Sequence, residues 1–478
     1  MSGDWRDLGA AGARALREGR PADAAQAFAA VVALRPDHAD SWYNLAYARR
    51  QARDYDGALA AYTRALDLGI GGAEDVHVNR ALILSEHLDR VPEAEAELRR
   101  AVAFNPRFVP AWLNLGMIAE DRGRREEARE AYRAALAADP RTAKAHARLA
   151  ALDEDPEQAV SNLLATIATG GFAGEDAAEL EFALGNALDG LARYDEAFTA
   201  VARANARMAA LRPSAARYDP RTQERLVDDL IGLFPACPDR PILDGDNLPL
   251  FVCGMFRSGS TVAEQLLARH PAIVAGGELE FIPAIATDAI RPYPAGVRDL
   301  DEERRMALRS DYLASLGRMF PQAAHVTDKR PDNFLHLGLV KTLFPGATLV
   351  HTARDPLDIA VSTYFLNFGE SIRYAERLAD IGHYLGQYRR LMAHWEAIFG
   401  DDLVRVDYER LVVDSAATLE PVFCALSLDP DEAGAVSSDS PIRTPSAWAA
   451  RSPLNTRSVG RWRHYERQLT PVREALGL

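Results

Sequence analysis

The sequence predicts an all-α helical repeat array followed by an α/β domain with a parallel sheet. A pattern of large and small residues recurs along the first 210 positions, and an apolar segment followed by a glycine-containing loop begins at Leu248. With 478 residues, 48% of them hydrophobic, the chain can form two or three cores. We expect a repeat domain at 1–210, a linker with one helix at 211–246 and the α/β domain at 247–478.

Two segments of the first domain share one spacing of aromatic, leucine and small residues. The shared positions are Trp42, Leu45, Ala46, Ala58, Tyr62 and Ala65, which recur as Trp112, Leu115, Gly116, Ala128, Tyr132 and Ala135. Small residues let antiparallel helices approach closely, and a proline ends the second helix of a pair. Further copies around Ala24, Ala94, Leu149 and Leu184 bring the total to five or six repeats.

These segments resemble tetratricopeptide (TPR) repeats, whose period is about 34 residues. The resemblance implies a concave surface for a protein partner, a substrate protein or a second copy of the chain. A scaffold for the second domain is the alternative, and the sequence leaves both open.

The second domain begins with a predicted strand, a loop and a helix. Leu248 to Cys253 is apolar, Gly254 to Thr261 reads GMFRSGST, and an amphipathic segment runs to Arg269. Such a turn directs backbone N–H groups and a helix dipole at an anion. Ser260 replaces the lysine of the GxxxxGK[ST] nucleotide loop, which argues against a kinase or ATPase. A tight turn without a ligand is the plain alternative.

A second basic residue, Arg354, follows another predicted strand at the sheet edge where open α/β folds bind ligands. Ser362 lies on the helix after it. A guanidinium group suits phosphate because it donates paired hydrogen bonds. A structural ion pair of Arg354 with Asp355 or Asp358 is the alternative.

Several segments, in order along the chain, resemble sulfotransferases and especially the tyrosylprotein members. They are Phe256–Thr261, Arg354–Pro356, Tyr408–Leu411 and Ser458–Tyr465, and the resemblance spans roughly 248–470. It implies sulfuryl transfer from 3'-phosphoadenosine 5'-phosphosulfate (PAPS), as co-substrate, to a hydroxyl acceptor. The implied donor-binding residues are Arg257, Ser258, Gly259, Ser260, Thr261, Arg354, Ser362, Tyr408 and Ser458.

The same resemblance implies catalytic roles for three residues. Glu278 would be the general base, with Glu280 as the alternative, and Lys329 would stabilise the leaving oxygen. Arg257 would polarise the sulfuryl group. No metal is expected, because these side chains supply the positive charge.

Composition limits the remaining possibilities. The formal net charge of −14 argues against a nucleic-acid partner, and three widely separated cysteines favour the cytoplasm. No apolar run approaches the roughly 20 residues that span a bilayer, so no transmembrane segment is expected. The acceptor stays open among peptide, sugar, lipid and small molecule. The alternative function is a TPR adaptor whose second domain binds a nucleotide without catalysis.

Overall fold

The computed structural model describes residues 5–88, 90–239, 241–246, 248–369, 371–434 and 456–478. It divides into two compact units, Met1–Leu152 and Asp153–Leu478. The predicted fold class is confirmed, because helical hairpins are followed by an α/β domain with a parallel sheet. The second unit contains both the helices after residue 152 and the α/β domain. The predicted domain boundary near residue 210 stays a prediction.

The first unit is a series of antiparallel helices. They are α1 (Trp5–Arg17), α2 (Pro21–Leu34), α3 (Ala39–Gln51), α4 (Tyr55–Asp67), α5 (Ala73–Leu82), α6 (Val91–Phe104), α7 (Val109–Asp121), α8 (Arg125–Ala138) and α9 (Ala143–Ala151). A π-helical turn, Ile83–His87, extends α5. The repeat positions form the core, since Ala58, Tyr62, Ala128 and Tyr132 are fully buried.

The repeat spacing has a direct steric cause. A Cβ atom on Gly116 would lie 2.4 Å from the Tyr132 ring, so only glycine fits where α7 meets α8. The indole N–H of Trp42 donates to the carbonyl of Pro36 at 3.0 Å, and Trp112 donates equivalently to Pro106 at 2.9 Å. Each tryptophan therefore fastens the turn that precedes its own hairpin.

The second unit begins with four helices, α10 (Pro156–Ala168), α11 (Gly174–Gly190), α12 (Tyr194–Leu211) and α13 (Pro220–Leu233). The hairpin of α11 and α12 packs closely, because a Cβ atom on Gly185 would lie 2.4 Å from Val201 Cγ2. Helix α13 lies within 211–246, where the sequence predicts one linker helix.

The α/β domain follows. Its strands are β1 (Pro249–Gly254), β2 (Ile273–Val274), β3 (His325–Lys329), β4 (Leu349–Ala353) and β5 (Leu403–Asp407). Its helices are α14 (Ser260–Leu267), α15 (Phe281–Ala284), α16 (Glu302–Met319), α17 (Leu337–Leu343), α18 (Pro356–Tyr364), α19 (Leu378–Phe399), α20 (Tyr408–Leu411), α21 (Ser415–Ala425) and α22 (Thr470–Leu476).

All five strands pair in parallel in the order β2-β3-β1-β4-β5. The central strand β1 is buried along its whole length, as a parallel sheet covered on both faces requires. One core joins Leu250, Val252 and Val350 to α14 and α21. The carboxyl ends of β1, β3 and β4 therefore lie side by side, and the loops after them lie at the edge where open α/β sheets bind ligands.

No helix in the described ranges is long and apolar enough to cross a membrane.

Candidate active site

The loop after β1, residues 255–259, is termed the anion loop. Two of its residues have positive φ, Arg257 at 72° and Gly259 at 95°. A Cβ atom on Gly259 would lie 2.3 Å from the Tyr408 ring, and one on Gly254 would lie 2.4 Å from the Thr352 carbonyl oxygen. Both glycines are therefore needed where the loop touches the neighbouring chain segments.

The anion loop leads directly into α14, which begins at Ser260, two residues earlier than expected. The buried Ser258 hydroxyl lies 2.7 Å from Thr352 Oγ1, which donates to the Cys253 carbonyl at 3.1 Å. The Ser258 side chain thus braces the loop against β4. The buried Ser260 and Thr261 form the first turn of α14, where backbone N–H groups lack partners within the helix.

Arg354 connects the predicted donor-binding segments. Its guanidinium donates to the carbonyl oxygens of Arg257 at 2.9 Å and Ser458 at 2.5 Å, and it lies 4.6 Å from the centre of the Tyr408 ring. Arg257 Nε donates to Ser362 Oγ at 2.9 Å, and the hydroxyls of Tyr408 and Ser458 are 2.8 Å apart. The structure therefore brings these five predicted residues together.

The arrangement concentrates positive charge. Burial and the repulsion by the neighbouring Arg354 and Arg461 together lower the pKa of Arg257 to about 10. Burial also lowers the pKa of Arg354. The buried Nε of Arg354 has no hydrogen-bond acceptor among the residues that the structure describes. An anion placed here would relieve both the repulsion and the missing hydrogen bond.

The predicted catalytic pair lies at the end of β3. Lys329 Nζ donates to Glu278 Oε1 at 2.7 Å. The lysine side chain is 1% exposed, whereas the glutamate is 39% exposed and reaches solvent. Glu280, the alternative base, instead contacts Arg330 at 2.5 Å. Only Glu278 of the two glutamates contacts Lys329.

A buried network that the sequence reasoning missed holds the Glu278 loop. Glu264 Oε1 accepts hydrogen bonds from the Gly277 N–H at 3.0 Å and the Thr327 hydroxyl at 2.5 Å. Thr327 in turn accepts from the Gly276 N–H at 3.0 Å. Burial raises the pKa of Glu264. The available signal was a glutamate among the apolar residues of the segment VAEQLL, which α14 uses for its core.

The two aspartates considered as partners for Arg354 have other roles. The Asp355 side chain accepts from the Leu357 N–H at 2.8 Å and caps α18. Asp358 accepts from the N–H groups of Gly460 at 2.6 Å and Trp462 at 2.9 Å. Both aspartates therefore organise backbone around the arginine.

The described residues contain no cluster of three or more histidine, cysteine or carboxylate side chains that could hold a metal ion.

Solved structures with low overall similarity to this chain include MamA, YrrB and PilW. A crystal structure of MamA is 23% identical with a TM-score of 0.28 and covers 30% of this chain and 81% of its own. YrrB, a TPR protein with an unusual peptide-binding site, is 19% identical with a TM-score of 0.28, and the match covers 41% of this chain and 91% of YrrB. PilW, a type IV pilus biogenesis factor, is 18% identical with a TM-score of 0.34, and the match covers 42% of this chain and 92% of PilW.

An uncharacterized protein of Aquifex aeolicus (strain VF5) is 31% identical over 313 residues, which are 62% of this chain and 41% of that protein. The chain thus spans less than half of this relative. Residues 249–432 match the model described as the sulfotransferase family, and residues 10–73 and 109–142 match tetratricopeptide repeats. The closer resemblance to the tyrosylprotein members stays a prediction. These matches confirm the two kinds of domain that the motifs predicted: the chain contains tetratricopeptide repeats and a sulfotransferase-family domain.

Proposed function

We propose that the sulfotransferase-family domain moves a sulfuryl group from PAPS to the hydroxyl group of an acceptor. The observation that supports this most is the pair of partly buried guanidinium groups, Arg257 and Arg354, beside the first turn of α14. Burying like charges together is unfavourable unless an anion joins them. A donor with phosphate groups at both ends would be such an anion.

The donor's two anionic ends correspond to two groups of residues. The backbone N–H groups of Gly259 and Ser260 and the dipole of α14 suit the 5'-phosphosulfate, whereas the N–H of Ser258 already donates to the Met255 carbonyl at 3.0 Å. Arg354, whose Nε has no acceptor among the described residues, and Ser362 suit the 3'-phosphate. Tyr408 and Ser458 complete the surroundings of Arg354.

PAPS supplies the sulfuryl group, whose bond to the phosphate oxygen breaks as a bond to the acceptor oxygen forms. Glu278 would take the proton of the acceptor hydroxyl, since its carboxylate reaches solvent. Lys329, 2.7 Å from Glu278, would neutralise the leaving phosphate oxygen. Arg257, in the anion loop, would hold the sulfuryl oxygens.

The acceptor is a compound with a free hydroxyl group, and peptide, sugar, lipid and small molecule all satisfy this chemistry. The TPR array would offer its surface to a protein partner, an acceptor protein or a second copy. A cytoplasmic location stays a prediction.

Turnover with PAPS tests the proposal. The full chain would be incubated with PAPS, without metal, and with separate pools of phenols, sugars, lipids and peptides, and free 3'-phosphoadenosine 5'-phosphate (PAP) would be measured. We expect PAP release together with sulfate transfer to one pool. Tight PAP binding without turnover on any pool would favour the adaptor instead. Hydrolysis of ATP that needs Mg²⁺ would favour a kinase-like enzyme.

A further inference from the structure

We propose that the α11–α12 hairpin is part of the donor site, with Asp189 as the residue that positions the segment 456–465. This segment is termed the tail segment. The identity of the donor rests on the proposed function above, whereas the positioning of the tail segment by Asp189 does not depend on it.

The tail segment contributes directly to the surroundings of Arg354. The Ser458 carbonyl oxygen accepts from Arg354 at 2.5 Å, and the Ser458 hydroxyl lies 2.8 Å from the hydroxyl of Tyr408. The N–H groups of Gly460 and Trp462 donate to Asp358 on α18. A displaced tail segment would therefore remove one partner of Arg354 and expose the site.

Asp189 holds the tail segment from the other side. Its carboxylate lies 3.1 Å from the guanidinium of Arg461 and also accepts a hydrogen bond from the hydroxyl of Tyr465. Tyr465 is fully buried. Tyr194, at the start of α12, stacks on His464 with ring centres 4.1 Å apart. Both helices of the hairpin thus contact the tail segment.

The hairpin also holds the end of α18, the helix of Ser362. The side-chain amide of the buried Asn205 donates to the Tyr364 carbonyl at 2.9 Å, and that of Asn186 donates to the Phe365 carbonyl at 3.1 Å. Carbonyl groups at a helix end have no partners within the helix, so these amides complete their hydrogen bonding. Phe198 stacks on Tyr364 at 5.4 Å.

The donor site is therefore assembled from three parts of the chain, namely the anion loop, the β4–α18 connection and the tail segment. The last two are fastened to the same hairpin. A helical repeat here would set the affinity for the donor in addition to any role in partner binding.

Asp189→Ala in the full chain tests this, with Asp176→Ala as the matched control. Asp176 is an exposed acidic residue on the same helix. We expect Asp189→Ala to weaken PAP binding by about tenfold and to raise the KM for PAPS with kcat at saturating donor retained. Backbone hydrogen exchange in the tail segment should accelerate, and the control should match the wild type in all three measurements.

Asp189→Asn keeps an oxygen that can accept from Tyr465 but loses the charge that pairs with Arg461, so an intermediate effect is expected. This variant guards against a folding defect in Asp189→Ala. Unchanged exchange in the tail segment, or faster exchange with unchanged PAP affinity, would overturn the inference. A wild-type chain that does not bind PAP would refute the proposed donor, and the exchange measurement would still decide whether Asp189 holds the tail segment.

Discussion

The guanidinium of Arg354 donates a hydrogen bond to the backbone carbonyl of Arg257, 2.9 Å away. Through this contact the end of β4 sets the shape of the anion loop after β1. A second branch of the same guanidinium reaches the carbonyl of Ser458. One side chain therefore joins three segments that are far apart in the sequence.

Arg354→Lys should separate this joining role from simple positive charge. A lysine ammonium is a point charge and cannot hold two carbonyl groups and an anion in one plane. We expect calorimetry to show PAP affinity reduced by about tenfold or more, with the circular dichroism spectrum unchanged. Equal affinity in the variant would mean that charge alone matters here.

Gly259→Ala should weaken donor binding by about tenfold or more. The residue has φ of 95°, and the added methyl group would lie 2.3 Å from the Tyr408 ring, so the loop would have to shift. Gly232→Ala is the control, because a Cβ atom there meets nothing within 4 Å and α13 would gain helix propensity. Similar PAP affinity in the two variants would show that the loop tolerates the methyl group.

Glu278→Gln should reduce turnover by roughly 10²- to 10⁴-fold while PAP binding is largely kept, because a general base is lost and the donor contacts are not. Glu280→Gln is the matched control. The Glu280 side chain is 54% exposed and pairs with Arg330, so turnover should fall by less than about fivefold. A larger loss in Glu280→Gln than in Glu278→Gln would exchange the two assignments.

Asp328 should make folding stability depend on pH. Burial raises the pKa of Asp328 to about 7, and Tyr312 and Asn333 donate hydrogen bonds to its carboxyl group. The unfolded group loses its proton near pH 4, so between about pH 4 and 7 the native state binds the extra proton. Its stabilising contribution is full below about pH 4 and is lost as the pH rises through 7.

Melting temperatures at pH 5 and pH 7.5 measure this dependence. In the wild type, the free energy of unfolding should fall by on the order of a few kcal/mol between these two pH values, and Asp328→Asn should reduce this fall. Asp332→Asn, which changes a less buried carboxylate paired with Arg330, should keep the wild-type slope. The same slope in Asp328→Asn would show that Asp328 is ionised throughout.

Local spacing made the fold predictable. Tyr62 and Tyr132 recur with small residues because two helices can approach only where side chains are small, and this is a property of neighbouring positions. The anion loop was predictable because its glycines and hydroxyl residues are contiguous in one strand–loop–helix segment. The groups that exclude a Cβ atom at Gly254 and Gly259 belong to Thr352 and Tyr408, which no local pattern reports.

The supporting contacts of the site were not predictable in this way. Glu264 lies on an amphipathic helix, where a glutamate is usually solvated, and its burial against Thr327 follows from the packing of α14 on β3. The contact of Asp189 with Arg461 joins residues far apart in the chain, and no local pattern reports such pairing. The contact between Glu278 and Lys329 likewise depends on the pairing of β2 with β3.

Calorimetric binding of PAP, compared with AMP and ATP, decides whether this site binds PAPS. We expect affinity in the micromolar range that requires the 3'-phosphate and is lost in Arg354→Ala, because Arg354 would hold that phosphate. Equal binding of PAP and ATP, or a PAP affinity that Arg354→Ala does not change, would contradict the assignment of this site to PAPS.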